Sequence, residues 1–158
     1  MQSKLGSALS LKSLFFPRNN HWLKRTALIL AFTMFDYFCT LACCQAPYQE
    51  ANIYARAFME NLGILQGLTL FVILFNLPIY VLLTLDSHII KFQSKIGNAL
   101  EILVDLVFAW FVAGLHFGGG TSWFWMAPDT IRQAAGAMLY VAMAVLLVKP
   151  HRPKYQSA

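Results

Sequence analysis

Four apolar runs, at residues 26–44, 64–85, 98–117 and 131–148, constrain this chain more than any other feature. A helix needs about 20 predominantly apolar residues to cross the hydrocarbon of a bilayer. Three of the runs come close to that length, and the fourth is a little short. Spanning segments must satisfy their backbone hydrogen bonds internally. The expectation is therefore an all-α, polytopic integral membrane protein with four transmembrane helices. The composition agrees, with 58% of the 158 residues hydrophobic and 12% charged, about half the charged share of a soluble domain. The expected organisation is one domain: an N-terminal interfacial amphipathic segment over residues 1–25, a transmembrane domain over 26–148, and a basic cytoplasmic tail over 149–158.

The basic residues set the expected orientation. Lys4, Lys12, Arg18, Lys24 and Arg25 precede the first run, Lys91 and Lys95 separate the second from the third, and Lys149, Arg152 and Lys154 follow the fourth. Only Arg56 and Arg132 fall on the other side. The positive-inside rule then puts both termini in the cytoplasm and the chain in the cytoplasmic membrane. The net charge of +5 is mostly topological, so no nucleic-acid partner is implied. The expected partners are the lipid bilayer, with other membrane protein subunits or further copies of the chain. A secretory signal is a poor description of the first run, which starts two dozen residues in, carries Asp36 and exceeds a usual signal core of about 7–15 residues. Leu11, Leu14, Phe15 and Phe16 ahead of Pro17 read as an interfacial helix on the cytoplasmic leaflet.

Two outer connections are long enough for structure. After Pro47, the spacing of Ile53, Tyr54, Ala57 and Phe58 predicts a short surface helix. The stretch 118–126 combines three glycines with Trp123 and Trp125, and reads as a flexible loop whose indole rings sit at headgroup level. It lacks the following Lys-Ser/Thr pair and preceding strand of a phosphate loop. Cys39, Cys43 and Cys44 have no matched soft ligands elsewhere and read as small packing residues. On the fourth helix, Ala134, Ala135, Gly136 and Ala137 suit close packing. Trp123, Trp125, Gly136 and Tyr140 are the interface candidates.

Polar residues inside the runs carry the functional signal. A carboxylate at bilayer depth must face the bundle interior, find a partner or lose its charge. Thr33, Asp36, Thr40 and Cys43 recur at three- and four-residue steps and line one face of helix one. On helix two, Thr69 and Asn76 are nearly aligned, and Pro78 withdraws the N–H that the Leu74 carbonyl would accept. On helix three, Glu101, Asp105, Val112 and His116 follow one line at α-helical spacing. Counting residues from each helix end puts Asp36, Asn76 and Asp105 near mid-bilayer, where they meet. Two neighbouring carboxylates would share a proton, so Asp36, Thr40, Asn76, Glu101 and Asp105 are the proton- or cation-binding candidates. The plainer alternative is a protonated Asp that ties helices together for about 0.6 kcal/mol and at most about 2 kcal/mol. A second constellation lies nearer the outer face, where Glu50, His116 and Asp129 offer one imidazole and two carboxylates to a divalent metal. Asp129, after Pro128, serves equally as the N-cap of helix four. No catalytic triad or metalloprotease motif is present, and no cofactor is indicated.

Asp36, Tyr37, Phe38, Cys39 and Thr40, followed by Glu50, Ala51 and Asn52, resemble the small prokaryotic four-helix membrane proteins of the DUF5658 type. In that family an Asp and a Thr in the first span precede a Glu-x-Asn-Pro turn. The resemblance covers about residues 35–56, and Ile53 stands where the family carries proline. It implies a helical membrane fold with Asp36, Thr40, Glu50 and Asn52 as the residues to test, and it implies no activity.

Three functions follow from these features. Small size, 23 aromatic residues and a small-residue fourth helix favour a subunit or assembly and stabilising factor of a larger membrane complex, held by helix packing. The alternatives are an oligomeric proton- or cation-coupled transporter or channel using Asp36 and Asp105, and an intramembrane metalloenzyme using Glu50 and His116.

Overall fold

The computed structural model describes residues 20–89, 103 and 107–147. Residues 1–19 of the expected interfacial segment, the basic tail, Glu101 and Asp105 lie outside the described residues, whereas residues 20–25 of that segment belong to the first helix. The first apolar run sits in helix α1, Asn20–Cys43, which starts ahead of the hydropathy boundary. A 3₁₀ turn, Pro47–Gln49, leads to α2, Ile53–Leu62, the surface helix that the spacing predicts. Asn52 caps it, its side-chain oxygen accepting from the N–H groups of Tyr54 (3.0 Å) and Ala55 (3.3 Å), two of the donors that a helix start leaves unpaired. Gly63, at φ 83°, makes the turn into α3, Ile64–Ile89, in the left-handed region that glycine enters without penalty.

The third run differs most from expectation. Helix continues to Ser122: a π-helical stretch π1, Phe108–Gly114, passes into α4, Leu115–Ser122. Gly118, Gly119 and Gly120 are therefore helical and not a loop. Gly119 and Gly120 lie where helices touch, so a side chain there would collide: a Cβ on Gly119 would lie 2.9 Å from Asp36 Oδ1, and one on Gly120 would lie 3.0 Å from Asp36 Cα. The fourth run forms α5, Asp129–Leu147, whose first turn contains Asp129. Asp129 is thus the first residue of the helix rather than its cap, and the Pro128 carbonyl accepts from the N–H groups of Ile131 and Arg132.

The described residues are helical without strands. Three segments, Trp22–Cys43, Ile64–Thr84 and Asp129–Leu147, are long and apolar enough to cross a membrane. Their outer surfaces suit lipid, with Leu23, Phe38, Ile73, Met138 and Leu146 all exposed.

Helix α1 is central and touches α3, π1, α4 and α5. It runs antiparallel to α3, because Thr33 meets Asn76 while Tyr37 meets Thr69 (2.8 Å). The start of α1 meets the end of α5, where Lys24 Nζ donates to the Leu147 carbonyl (2.9 Å), a favourable place for a cation beside a helix C-terminus. At the opposite end, which carries residues 44–63 and is called the connection end below, Trp123 reaches Thr40. One apolar cluster, with Ile29, Phe32, Phe108, Val112, Ala113 and Tyr140, fills the bundle below Asp36. A second, with Cys44, Ala55, Met59 and Leu68, joins α2 to the connection end. Within lipid, close fit rather than hydrophobic transfer holds helices together. Gly136 shows this, since a Cβ there would fall 2.4 Å from Phe117 Cβ.

Candidate functional site

Asp36 lies seven residues before the end of α1, about 10 Å from the connection end at 1.5 Å per residue. It is therefore above mid-span, because the helix begins earlier than its apolar run does. His116 lies at the same level, six residues before the end of α4. The two side chains meet, with His116 Nδ1 2.9 Å from Asp36 Oδ2. Each remains partly open, at 21% exposure for His116 and 26% for Asp36. Gly119 and Gly120 make this contact possible. They follow His116 by three and four residues, share its helical face and let α4 lie directly against Asp36. Phe35 and Phe117, the preceding and following neighbours of the pair in sequence, stack at 5.6 Å with an interplanar angle of 19° and fix the two helices beside it.

Glu50 adds a third ionisable group. Its backbone carbonyl accepts from Arg56 Nε (2.9 Å) and Nη2 (2.5 Å), and its Oε1 accepts from the Asn52 N–H (2.8 Å). Burial pushes the Glu50 carboxyl above the ordinary glutamate range, and repulsion from Asp36 adds to that. The Asn52 and Ala51 N–H groups and Arg56 pull the other way. Glu50 is thus held at the connection end by Arg56 and the Asn52 N–H.

The remaining candidates separate into distinct settings. Thr40 is buried, and its Oγ1 accepts from Trp123 Nε1 (3.2 Å). Asn76 does not pair with Asp36; it lies a turn lower, where its Oδ1 accepts from Thr33 Oγ1 (3.2 Å) and its Nδ2 donates to the Val72 carbonyl (2.9 Å). Of the α1 stripe, Thr33, Asp36 and Thr40 turn inward, whereas Cys43 is exposed and its neighbour Cys44 is buried. Asp129 is 92% exposed and pairs with Arg132. Glu50, His116 and Asp129 do not form a donor set, and among the described residues no group of three His, Cys, Asp or Glu side chains is arranged to hold a metal ion. Gly136 and Tyr140, expected at contacts with partner chains, are instead buried within the chain itself, Tyr140 against Phe32 at 6.1 Å. Trp125 remains exposed, and Trp123 is half-buried beside the second cluster.

The pairing of His116 with Asp36 is what the sequence reading missed. A usable signal lay in the His116, Gly119 and Gly120 spacing, which builds a helical face with one polar group and two positions without side chains. Arg132 is a further unanticipated element. It donates to the carbonyls of Gly118 (3.2 Å), Trp125 (3.0 Å) and Ala127, and so holds the end of α4 and the following turn against α5. Compared with protein-family models, characterised proteins and solved structures, the chain matches none.

Proposed function

We propose that this chain is a four-span integral membrane protein that binds and releases a proton at the Asp36–His116 pair, as the working part of a proton-coupled membrane activity. The supporting observation is the hydrogen bond of 2.9 Å between these side chains, made from two different helices inside the bundle. Ionisable groups at membrane depth mark ion and proton pathways, and histidine is the side chain whose ordinary pKa lies nearest neutrality. With His116 protonated the pair is an ion pair, and with His116 neutral it is a hydrogen bond beside a carboxylate. One proton therefore changes the charge between two helices. The reading includes a cytoplasmic location for both termini, supported by the distribution of basic residues and by the Lys24 contact with the end of α5.

Proteoliposomes carrying the purified protein test the proposal. An imposed pH gradient should drive proton flux or coupled uptake that is lost in Asp36→Asn and in His116→Gln. Flux equal to wild type in both variants overturns it. A second reading, a packing subunit of a larger complex, is favoured by an apolar groove of about 460 Å³ on the π1–α5 face, lined by Ala109, Trp110, Ala134, Met138 and Val141. Native mass analysis after mild solubilisation would show stoichiometric partner chains if that reading holds.

A further inference from the structure

We infer that α2 is a re-entrant helix, standing within the membrane leaflet at the connection end with Ile53, Tyr54 and Ala57 against lipid acyl chains, and not lying across the membrane surface. Nothing in this placement depends on the Asp36–His116 pair.

The register of the helices puts α2 there. Tyr37 of α1 lies beside Thr69 of α3; six residues on from Tyr37 is Cys43 and six back from Thr69 is Gly63, so the end of α1 and the turn into α3 are level. From that level α2 extends back along α3. Its Phe58 packs on Phe71 with ring centroids 6.0 Å apart, and Tyr54, a turn nearer its start, packs on Phe75 at 6.1 Å. Earlier residues of α2 thus meet later residues of α3, and the two helices run antiparallel and side by side. They touch at Gly67, where a Cβ would fall 2.6 Å from Met59 Cα. Ala55 and Met59 are buried in one cluster with Leu68, and Tyr37, Leu41 and Val72 pack around it. The ten residues of α2 cover about 15 Å at 1.5 Å each, which is half of a hydrocarbon core about 30 Å thick. The part of α3 beside them belongs to the span Ile64–Thr84.

The uncovered side of α2 changes character along its length. Ile53 and Tyr54, at 65% and 61% exposure, and Ala57 are open toward its start, whereas Glu60 and Asn61 are open at the end near Gly63. A helix lying flat in the interface separates apolar from polar residues around its circumference. On this side the separation runs along the axis, apolar at depth and polar at the membrane surface. Arg56, the charge between the two zones, has its guanidinium occupied, with Nε and Nη2 donating to the Glu50 carbonyl. Backbone groups at membrane depth need partners within the protein, and the start of α2 has them. The Asn52 side-chain oxygen accepts from the N–H groups of Tyr54 and Ala55, and Glu50 Oε1 accepts from the Asn52 N–H.

Spin labelling of the full-length protein in phosphatidylcholine vesicles, with Cys39, Cys43 and Cys44 replaced by Ser, tests the placement. Nitroxides are attached one at a time at Ile53→Cys, Ala57→Cys, Glu60→Cys and Asn61→Cys, and at Ile73→Cys, exposed on α3, as the lipid-facing reference. Oxygen concentrates in hydrocarbon, and a nickel chelate stays in water. Labels at 53 and 57 should match the label at 73, with frequent oxygen collisions and loss of nickel collisions, while labels at 60 and 61 should collide with nickel. Four separate exposed positions keep the test readable if one substitution disturbs the fold. Nickel collisions at 53 and 57 as frequent as at 60 would put α2 in water above the bilayer and overturn the inference. Infrequent collisions with both reagents at 53 and 57 would mean that a partner protein covers the face, and would overturn it equally.

Discussion

Glu50 links a single side chain to the pH dependence of the whole structure. Its carboxyl lies above the reference value of 4.5 in the folded chain, chiefly because of burial. Between that reference and the raised value the folded state binds more protons than the unfolded one, so stability falls as pH rises through this window and is level above it. Thermal unfolding in detergent should therefore show a lower midpoint near neutrality than at mildly acid pH, and Glu50→Gln should flatten that part of the profile. Glycine supplies a second test at the same scale. Gly119→Ala places a methyl group 2.9 Å from Asp36 Oδ1, which forces the carboxylate away from His116 and overpacks the contact at a cost of about 1–3 kcal/mol. Loss of the pH-driven flux with the helical content retained is the expected result, and wild-type flux would count against the pair. The need of Asp36 for a partner was legible in the sequence, since acids at bilayer depth require one. The partner's identity was not, because the depth count brought Asn76 and Asp105 to Asp36 and put His116 nearer the outer face with Glu50 and Asp129. The contact was selected by two glycines that resembled a loop.

The elements were legible wherever hydropathy and capping agreed. The α2 helix was readable from the apolar spacing of Ile53, Tyr54, Ala57 and Phe58 after Pro47; the Asn52 cap and the Gly63 turn that bound it emerge from the structure. Asn52→Ala should destabilise the protein by about 1 kcal/mol, read as a lower unfolding midpoint with little change in flux, since the cap lies outside the pair. Gly67 gives a stronger effect: a Cβ there would lie 2.3 Å from the Phe58 carbonyl oxygen. Gly67→Ala should separate α2 from α3 and raise amide exchange across residues 53–62 above that of wild type. The third run was less legible, and the reason is π1. A turn closed by i→i+5 bonds holds more residues than an α-turn, so a count of 3.6 residues per turn does not hold across Phe108–Gly114 on the way to His116. The wide turn is stitched to α5, where Gln133 Nε2 donates to the Trp110 carbonyl (3.2 Å). That contact needs a neighbouring helix, and local sequence cannot report it.

At the scale of the molecule, the question is how often the chain crosses the bilayer. Helix α3 runs from the connection end toward the end that carries Lys24, because its Thr69 lies beside Tyr37 and its Asn76 beside Thr33. Trp123 lies back beside Thr40, at the end of the helical stretch from π1 through α4, which packs against α1 and α5. The proposed four-span reading counts that stretch as part of its third crossing, in addition to the three segments long and apolar enough to span. The prediction is a pattern of labels. In a background where Cys39 and Cys44 are replaced by Ser, the exposed Cys43 should react with a membrane-impermeant maleimide from the outside of intact cells. Met126→Cys, at a position 95% exposed in the turn before α5, should react from the same side once Cys43 is also replaced. A cysteine introduced for Lys95, and tags at either terminus, should be reached only after the membrane is opened. A C-terminal tag exposed there would leave an odd number of crossings and break the shared end of α1 and α5, where Lys24 meets Leu147. Lys95→Cys labelled from the outside would mean that the chain does not cross between residues 64 and 95.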